Sequence, residues 1–360
     1  VLTKTAVPAG SNSFNGTWTS SNRAAVNFTS IESLPISIVA YGADASISGQ
    51  PRVKVLYTNS DQLVNPAQPQ GFLAYEANYH GGVRVAVGFF DNTGKPEVAV
   101  APGQGHLPIV KVFDMNGNFQ FQFQAYPSSV QGGLNIAAGN IEGTPVGGTE
   151  LDDIVTAPSH GVSEIRVWHD QFPTHPAAPV TLFRDFTVWA KTFTGGSTVA
   201  VADLNLDGRG DVIVGSGPGM QPLIEAFDVK PAFSSYAPFK IFYPFVASFR
   251  GGVNVSAISA GLGVADPLVI ASQGNSGAPS VLILNGRTGG LSNLFIPYTG
   301  TGSNSPVRTA AKVIGGHLFV YTAQQVHGLS TTIRKYDPTN GAIVDYIIET
   351  DPNFLGIFVG

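Results

Sequence analysis

The stretch GGSTVAVADLNLDGRGDVIVGSG, Gly195 to Gly217, decides how this sequence folds. Two runs rich in valine and alanine, Ser197 to Ala202 and Val212 to Val214, flank a polar loop from Asp203 to Asp211. Short apolar runs on either side of an aspartate- and glycine-rich turn predict a β-hairpin. Within the loop, Asp203, Asn205, Asp207 and Asp211 stand at positions 1, 3, 5 and 9, with Gly208 at position 6. Hard cations such as Ca²⁺ take six to eight oxygens, which alternate residues of a curled loop turn inward while a glycine takes the sharp bend. Arg209, at position 7, is expected to add its backbone carbonyl. The loop therefore reads as a calcium site. The competing reading is a metal-free turn, because Asp and Asn favour turns by themselves.

Working outward, the Gly-Gly that opens this hairpin recurs. It heads GGVRVAVG from Gly81, GGLNIAAG from Gly132, GGSTVAVA from Gly195 and GGVNVSAI from Gly251, with SPVRTAAK from Ser305 as a degraded copy. Each unit then continues with a second apolar run (EVAVAPG, DIVTAPS, DVIVGSG, PLVIASQ) and a third (PIVKVFD, EIRVWHD, PLIEAFD, PSVLILN). An aromatic-rich fourth run closes it (FQFQFQAY, TLFRDFTVW, FKIFYPF, LSNLFIPY). Four strands in a unit of about fifty residues is the sequence signature of a β-propeller blade. The expected fold is all-β, a propeller of four-stranded blades forming one domain over 1–360.

Blades are expected at about 23–80, 81–131, 132–194, 195–250, 251–304 and 305–352. The first of these rests on Pro51-Arg-Val-Lys-Val standing where Pro108-Ile-Val-Lys-Val stands one unit later. Residues 1–22 read as the outer half of a further blade, and 353–360 (NFLGIFVG) as its inner, closing strand. That gives seven blades, with both chain ends in the split one; six blades is the alternative. Ring closure of this kind removes free sheet edges.

The loop is not an EF-hand, which would carry a bidentate Glu at position 12 where this chain has Val214. It resembles the calcium loop of FG-GAP repeats, the blades of integrin-α-like propellers, of the bacterial extracellular kind. The Gly-Ala-Pro of that family survives loosely as Val100-Ala101-Pro102-Gly103, Thr156-Ala157-Pro158 and Gly215-Ser216-Gly217-Pro218, whereas Phe-Gly is absent. The resemblance implies a non-enzymatic role in adhesion, binding or surface assembly. Its partner would be a protein or glycan on the face opposite the calcium loop. The alternative is a carbohydrate-binding (lectin) or polysaccharide-active enzyme domain, since a fold does not fix a function.

Composition narrows the classes further. Glycine (43) and proline (25) are abundant and charged residues make up only 12%, as suits many short strands and turns. The net charge is −5 without a basic cluster, which argues against nucleic acid as a partner. No apolar run reaches the roughly 20 residues of a membrane helix, so membrane insertion is not expected. There is no cysteine, which removes disulfides and thiolate chemistry. Low charge with a calcium loop suggests a secreted or cell-surface setting, any leader having been removed or lying outside this sequence.

In the unit from Gly132, Asn140, Glu142 and Asp153 form a weaker second candidate site around an insertion. The unit from Gly81 keeps Asp91, Thr93 and Glu97 but has Phe89 at position 1. Arg209-Gly210-Asp211 matches the integrin tripeptide but sits inside the cation loop, so an accidental match is expected. The seven histidines show no metal-ligand spacing on one element. Tyr126, Trp189, Phe242, Tyr243, Phe295 and Tyr298, at fourth-strand ends, are expected to pack between blades. Ligand recognition is assigned to the loops 41–50, 101–108, 157–163, 215–222, 271–279 and 322–329, which vary while the strands keep their pattern.

Overall fold

The computed structural model describes residues 2–5, 13–20, 23–32, 36–45, 49–143, 151–170, 180–229, 236–261, 263–275, 279–298, 305–324, 332–348 and 357–359. The chain forms two compact units, Val1–Ser37 and Ile38–Gly360. The first holds β1 (Leu2–Thr5), β2 (Ser13–Ser20) and β3 (Arg23–Glu32), an antiparallel meander in the order β1-β2-β3.

The second unit opens with β4 (Ile38–Ala43), β5 (Arg52–Tyr57) and β6 (Phe72–Leu73). Five sheets of four consecutive antiparallel strands follow. They are β7 (Val83–Gly88), β8 (Glu97–Pro102), β9 (Ile109–Asp114) and β10 (Phe119–Gln124); β11 (Leu134–Gly139), β12 (Asp153–Pro158), β13 (Glu164–Asp170) and β14 (Val180–Thr187); and β15 (Ser197–Ala202), β16 (Asp211–Ser216), β17 (Ile224–Phe227) and β18 (Lys240–Phe242). Next come β19 (Val253–Ile258), β20 (Leu268–Gln273), β21 (Val281–Asn285) and β22 (Leu291–Phe295), then β23 (Val307–Ile314), β24 (His317–Gln324), β25 (Thr332–Asp337) and β26 (Ala342–Ile348). The last strand, β27 (Ile357–Val359), pairs with β4, so one sheet runs β27-β4-β5-β6. Inner strands touch in sequence from β7 through β11, β15, β19 and β23 to β27, and β27 touches β7. Among the described residues this unit is a β-propeller of six four-stranded blades, numbered here from the β27-β4-β5-β6 sheet.

The expected seventh blade is therefore corrected to six. Arg23–Glu32 has the period of an inner strand, but it pairs with β2 rather than with β4. The expected half-blade 1–22 supplies β1 and β2 to the separate meander, not to the sheet of β27. The closing strand does occupy an inner position, and the second strand that its blade needed is Ile38–Ala43. Two expected blades thus share one set of strands. Alternation reports which face is buried but not which strand lies alongside.

Burial explains the sequence texture. The second strands β8, β12 and β16 are buried at every position, sandwiched between neighbouring blades, and hence read as continuous apolar runs. The Gly-Gly marker has a backbone cause. Gly82, Gly133, Gly196 and Gly252 hold φ between 70° and 87°, the left-handed region. The first glycine of the pair abuts the next connection, where a Cβ on Gly195 would come within 2.1 Å of the Pro218 carbonyl oxygen.

Successive blades are latched by tyrosine. Tyr126, just beyond β10, donates to the carbonyls of Thr156 (2.8 Å) and Glu164 (2.7 Å) in the next blade. Tyr75 does the same to Val100 (3.0 Å) and Ile109 (2.7 Å), and Tyr298 to Thr322 (2.8 Å) and Thr332 (2.9 Å). A cation at one register of the third strand lies over each ring: Lys111 over Tyr75, Arg166 over Tyr126 and Arg334 over Tyr298. Trp189 uses its indole N–H on Ser197 Oγ instead (3.0 Å). Of the six aromatics expected between blades, Tyr243 is the exception at 70% exposed, because β18 ends at Phe242 and that ring takes the inward place.

Tyr126→Phe keeps the ring and removes the single hydroxyl proton that the Thr156 and Glu164 carbonyls share. A loss of about 1–3 kcal/mol is expected in denaturant unfolding, and no loss would show that the ring alone carries the contact.

Candidate functional site

The quoted hairpin forms as expected, with β15 and β16 in register from Ser197↔Ser216 to Ala202↔Asp211. In its loop Asp203 accepts from the backbone N–H groups of Asp207 (3.2 Å) and Gly208 (2.9 Å). Asn205 Oδ1 accepts from the same Asp207 N–H (2.9 Å), and Asp207 accepts from Arg209 N–H (3.1 Å). The curl is tight enough to hold Leu206, a non-glycine residue, at φ 63°, with Gly208 at 85°. Asp203, Asn205 and Asp207 thus share one concavity at the exposed tip.

Asp211 has a different setting. It is 1% exposed, and its Oδ2 accepts from the N–H groups of Leu204 (2.8 Å) and Asn205 (3.3 Å). These bonds seat Leu204, itself 1% exposed, among Ala202, Ile213 and Leu284. The residues aligned with Asp211 repeat this device. Asp153 (2% exposed) accepts from Ile141 N–H at 2.9 Å, and Glu97 (3% exposed) from Phe90 N–H at 2.7 Å. One position of the loop pattern therefore staples the hairpin inward in three blades. Burial pushes the Asp211 carboxyl up to about 7, opposed by the two amide bonds and reinforced by Asp228 and Asp207.

At the second candidate site, Glu142 and Asp153 meet at His169, whose Nδ1 lies 3.5 Å from Glu142 and 3.0 Å from Asp153. Asn140 Oδ1 is taken by Gly143 N–H (2.7 Å). Most of the insertion, 144–150, lies outside the described residues. His169, on β13, went unassigned in the sequence because its partners come from another strand and another loop. Among the described residues no three acidic or imidazole side chains are gathered as a metal-binding group. The donor set at Asp203, Asn205 and Asp207 is all oxygen and exposed, which suits a hard cation, whereas Asp211 is engaged with amides.

The opposite face carries the mouth of the axial channel. A cavity of about 170 Å³ lies there among the loops expected to bind ligand, with His160, Pro218 and Asn275 on its rim. Its wall is a ring that sequence reasoning missed: Arg84, Asn135, Thr198, Asn254 and Arg308, the second residue of each inner strand from β7 to β23. A signal was present, since the second residue after every Gly-Gly is polar while its neighbours are mostly apolar. Asn135 donates to Ser197 O (2.7 Å), Thr198 to Val253 O (2.7 Å) and Asn254 to Val307 O (2.9 Å), lacing each inner strand to the next. His106 points elsewhere, to Glu76 at 3.1 Å, and His327 lies outside the described residues.

No protein-family model matches the chain, and no curated protein does. Solved structures share the fold. A point mutant of the Aleuria aurantia lectin in complex with α-methyl-L-fucoside superposes with a TM-score of 0.50 at 14% identity, over 87% of this chain and 96% of that one. A Lactobacillus plantarum protein gives 0.48 at 13% identity over 88% and 83%. The rhamnogalacturonan lyase YesW gives 0.39 at 11% identity, over 98% of this chain and 64% of that one. No family model confirms the FG-GAP resemblance, which rests on the loop, the repeat and the loosely kept Gly-Ala-Pro.

Asp211→Ala strips the acceptor from two backbone N–H groups and should destabilise the protein by about 1–3 kcal/mol. Asp203→Ala, at the exposed tip, should cost less than about 1 kcal/mol in metal-free buffer. Equal losses in denaturant melts would contradict the division into staple and tip.

Proposed function

We propose that this propeller is a non-enzymatic, extracellular binding module that takes a glycan or protein ligand at the channel-mouth face, in adhesion or surface assembly. The observation that carries the reading is the mouth itself: donors and acceptors set on rigid inner strands, ringed by the most variable loops. Among the described residues its wall holds no carboxylate pair for acid–base work. Ser159 and His160, neighbours there, both turn to the Gly132 carbonyl (2.8 and 3.3 Å) rather than to each other. That a fucose-complexed lectin shares the fold is compatible with a glycan ligand and says nothing of which one.

On the opposite face, calcium is held by Asp203, Asn205 and Asp207 with the Arg209 carbonyl, and with Asp211 if it exchanges an amide for the metal. Support comes from the crowding of Asp207, Asp211 and Asp228, where repulsion adds to the burial that raises Asp211. The neighbouring blade places His169 at the register of Asp228 and has no such excess.

One observation favours a second reading, a polysaccharide-active site. A groove of about 500 Å³ between the last two blades is lined by Asp266, His317, Phe319 and Asp337. Both carboxylates are engaged, Asp266 with Asn285 (3.1 Å) and Asp337 with Thr339 (2.6 Å). A polysaccharide panel separates the readings: turnover by wild type that Asp337→Asn abolishes would replace the binding module with an enzyme.

Binding to a glycan array and to cell-surface protein should fall when loops 157–163 and 271–279 are replaced by alanine, and persist when the hairpin loops are altered; the reverse pattern would exchange the two faces. Calcium at a hundred times its dissociation constant should stabilise the wild type by about 2.7 kcal/mol, and Asp207→Ala should lose most of that gain. An unchanged melting temperature, with no metal in elemental analysis, removes calcium from the proposal.

A further inference from the structure

We propose that the axial mouth is a binding site for a single anionic group, a carboxylate or phosphate borne on a larger ligand, received between Arg84 and Arg308. The inference deepens the reading of the mouth as the ligand face and depends on it only for the choice of face. In the polar ring, Asn135, Thr198 and Asn254 are committed to neighbouring strands, so they shape the wall. The two arginines stand on β7 and β23, the inner strands on either side of β27, and both line the mouth cavity and the narrower space beneath it.

Each guanidinium keeps a geometric anchor. Arg84 Nη1 donates to Gly81 O (3.3 Å) and Arg308 Nη1 to Asn254 Oδ1 (2.5 Å). Anchored in this way they are presented across one small opening and act on each other. Burial, and then the charge of Arg84, bring Arg308 down to about 9, while Asp44 opposes the shift. Arg84 is lowered by burial, and here too Asp44 opposes the shift. Two half-buried guanidinium groups on the wall of one opening repel each other, as the lowering of Arg308 by Arg84 expresses, and an arriving anion relieves that repulsion for both. Guanidinium is suited to the task because its planar fork meets a carboxylate or phosphate two-pronged and is only weakly hydrated. A cavity of about 170 Å³ admits a head group, leaving the rest of the ligand to the surrounding loops.

The test is calorimetric titration of the full chain with D-glucuronate, inorganic phosphate and neutral D-glucose, on wild type, Arg84→Gln and Arg308→Gln. Saturable binding of glucuronate or phosphate but not glucose is expected, weakened about tenfold or more by either substitution and by added salt. Preference between the two anions identifies a carboxylate or a phosphate source. Arg84→Lys and Arg308→Lys keep the charge and lose the fork; they too should bind less tightly, and they serve if the Gln variants do not fold. Absence of saturable anion binding to wild type overturns the proposal. So does undiminished binding by the variants alongside a lowered melting temperature, which would make the arginines clasps of β27. A neutral glycan captured equally by wild type and variants would leave the binding module standing while the anion site fell.

Discussion

Closure of the ring is the constraint on which the propeller depends. Its second strands bury side chains on both faces, and β8, β12 and β16 have no exposed position. Such a strand has no stable existence in a lone sheet, since the apolar area it hides is hidden by the blades before and after it. Every blade therefore needs two neighbours, and the first and last blades find theirs only when β27 joins β4. A three-residue strand completes a structure of more than three hundred residues. The tyrosine latches serve the same end locally, each tying the close of one blade to the middle strands of the next.

The repeat was legible because propeller geometry writes itself into local pattern. A left-handed glycine before four of the inner strands, an unbroken apolar second strand and an aromatic at the close of the fourth each leave a short contiguous pattern that recurs from unit to unit. The count of blades was not legible, because it turns on partners. The segment from Arg23 reads as the start of a blade and residues 1–22 as the partners of a closing strand, and only tertiary pairing puts Ile38–Ala43 beside that strand instead. In the quoted loop the sequence shows where the oxygens stand, but not that one of them also holds backbone amides. Asp211 belongs to a series with Asp153 and Glu97 whose task is to hold amides and seat an apolar residue, with or without a cation. The polar ring at the mouth escaped notice because its members are dispersed one per unit and are unremarkable singly.

The two faces have been given different work by the same repeat. Hairpin loops on one side are hooked to their neighbours, as where Gly210 N–H donates to Asn140 O (2.6 Å) and Asp203 N–H to Ser259 Oγ (3.0 Å). On the other side the glycine connections bring backbones close together, and among the described residues five side chains of the inner strands line the opening. Under the proposed reading of the mouth as the ligand face, specificity would change by substitution at single ring positions without disturbing the blades.

The late arrival of β27 also bears on synthesis. Ile38–Ala43 leaves the ribosome more than three hundred residues before Ile357–Val359, and at about 5–20 residues per second the interval is roughly 15–60 seconds. Throughout it, β4 presents an apolar strand with one edge unoccupied, a template for any other extended chain nearby. Hydrogen bonds of the channel ring run forward, from Asn135 to the strand of Ser197, from Thr198 to that of Val253 and from Asn254 to that of Val307. Each blade can therefore dock on its predecessor as it emerges, and the nascent protein passes that interval as an open arc with a single vulnerable lip.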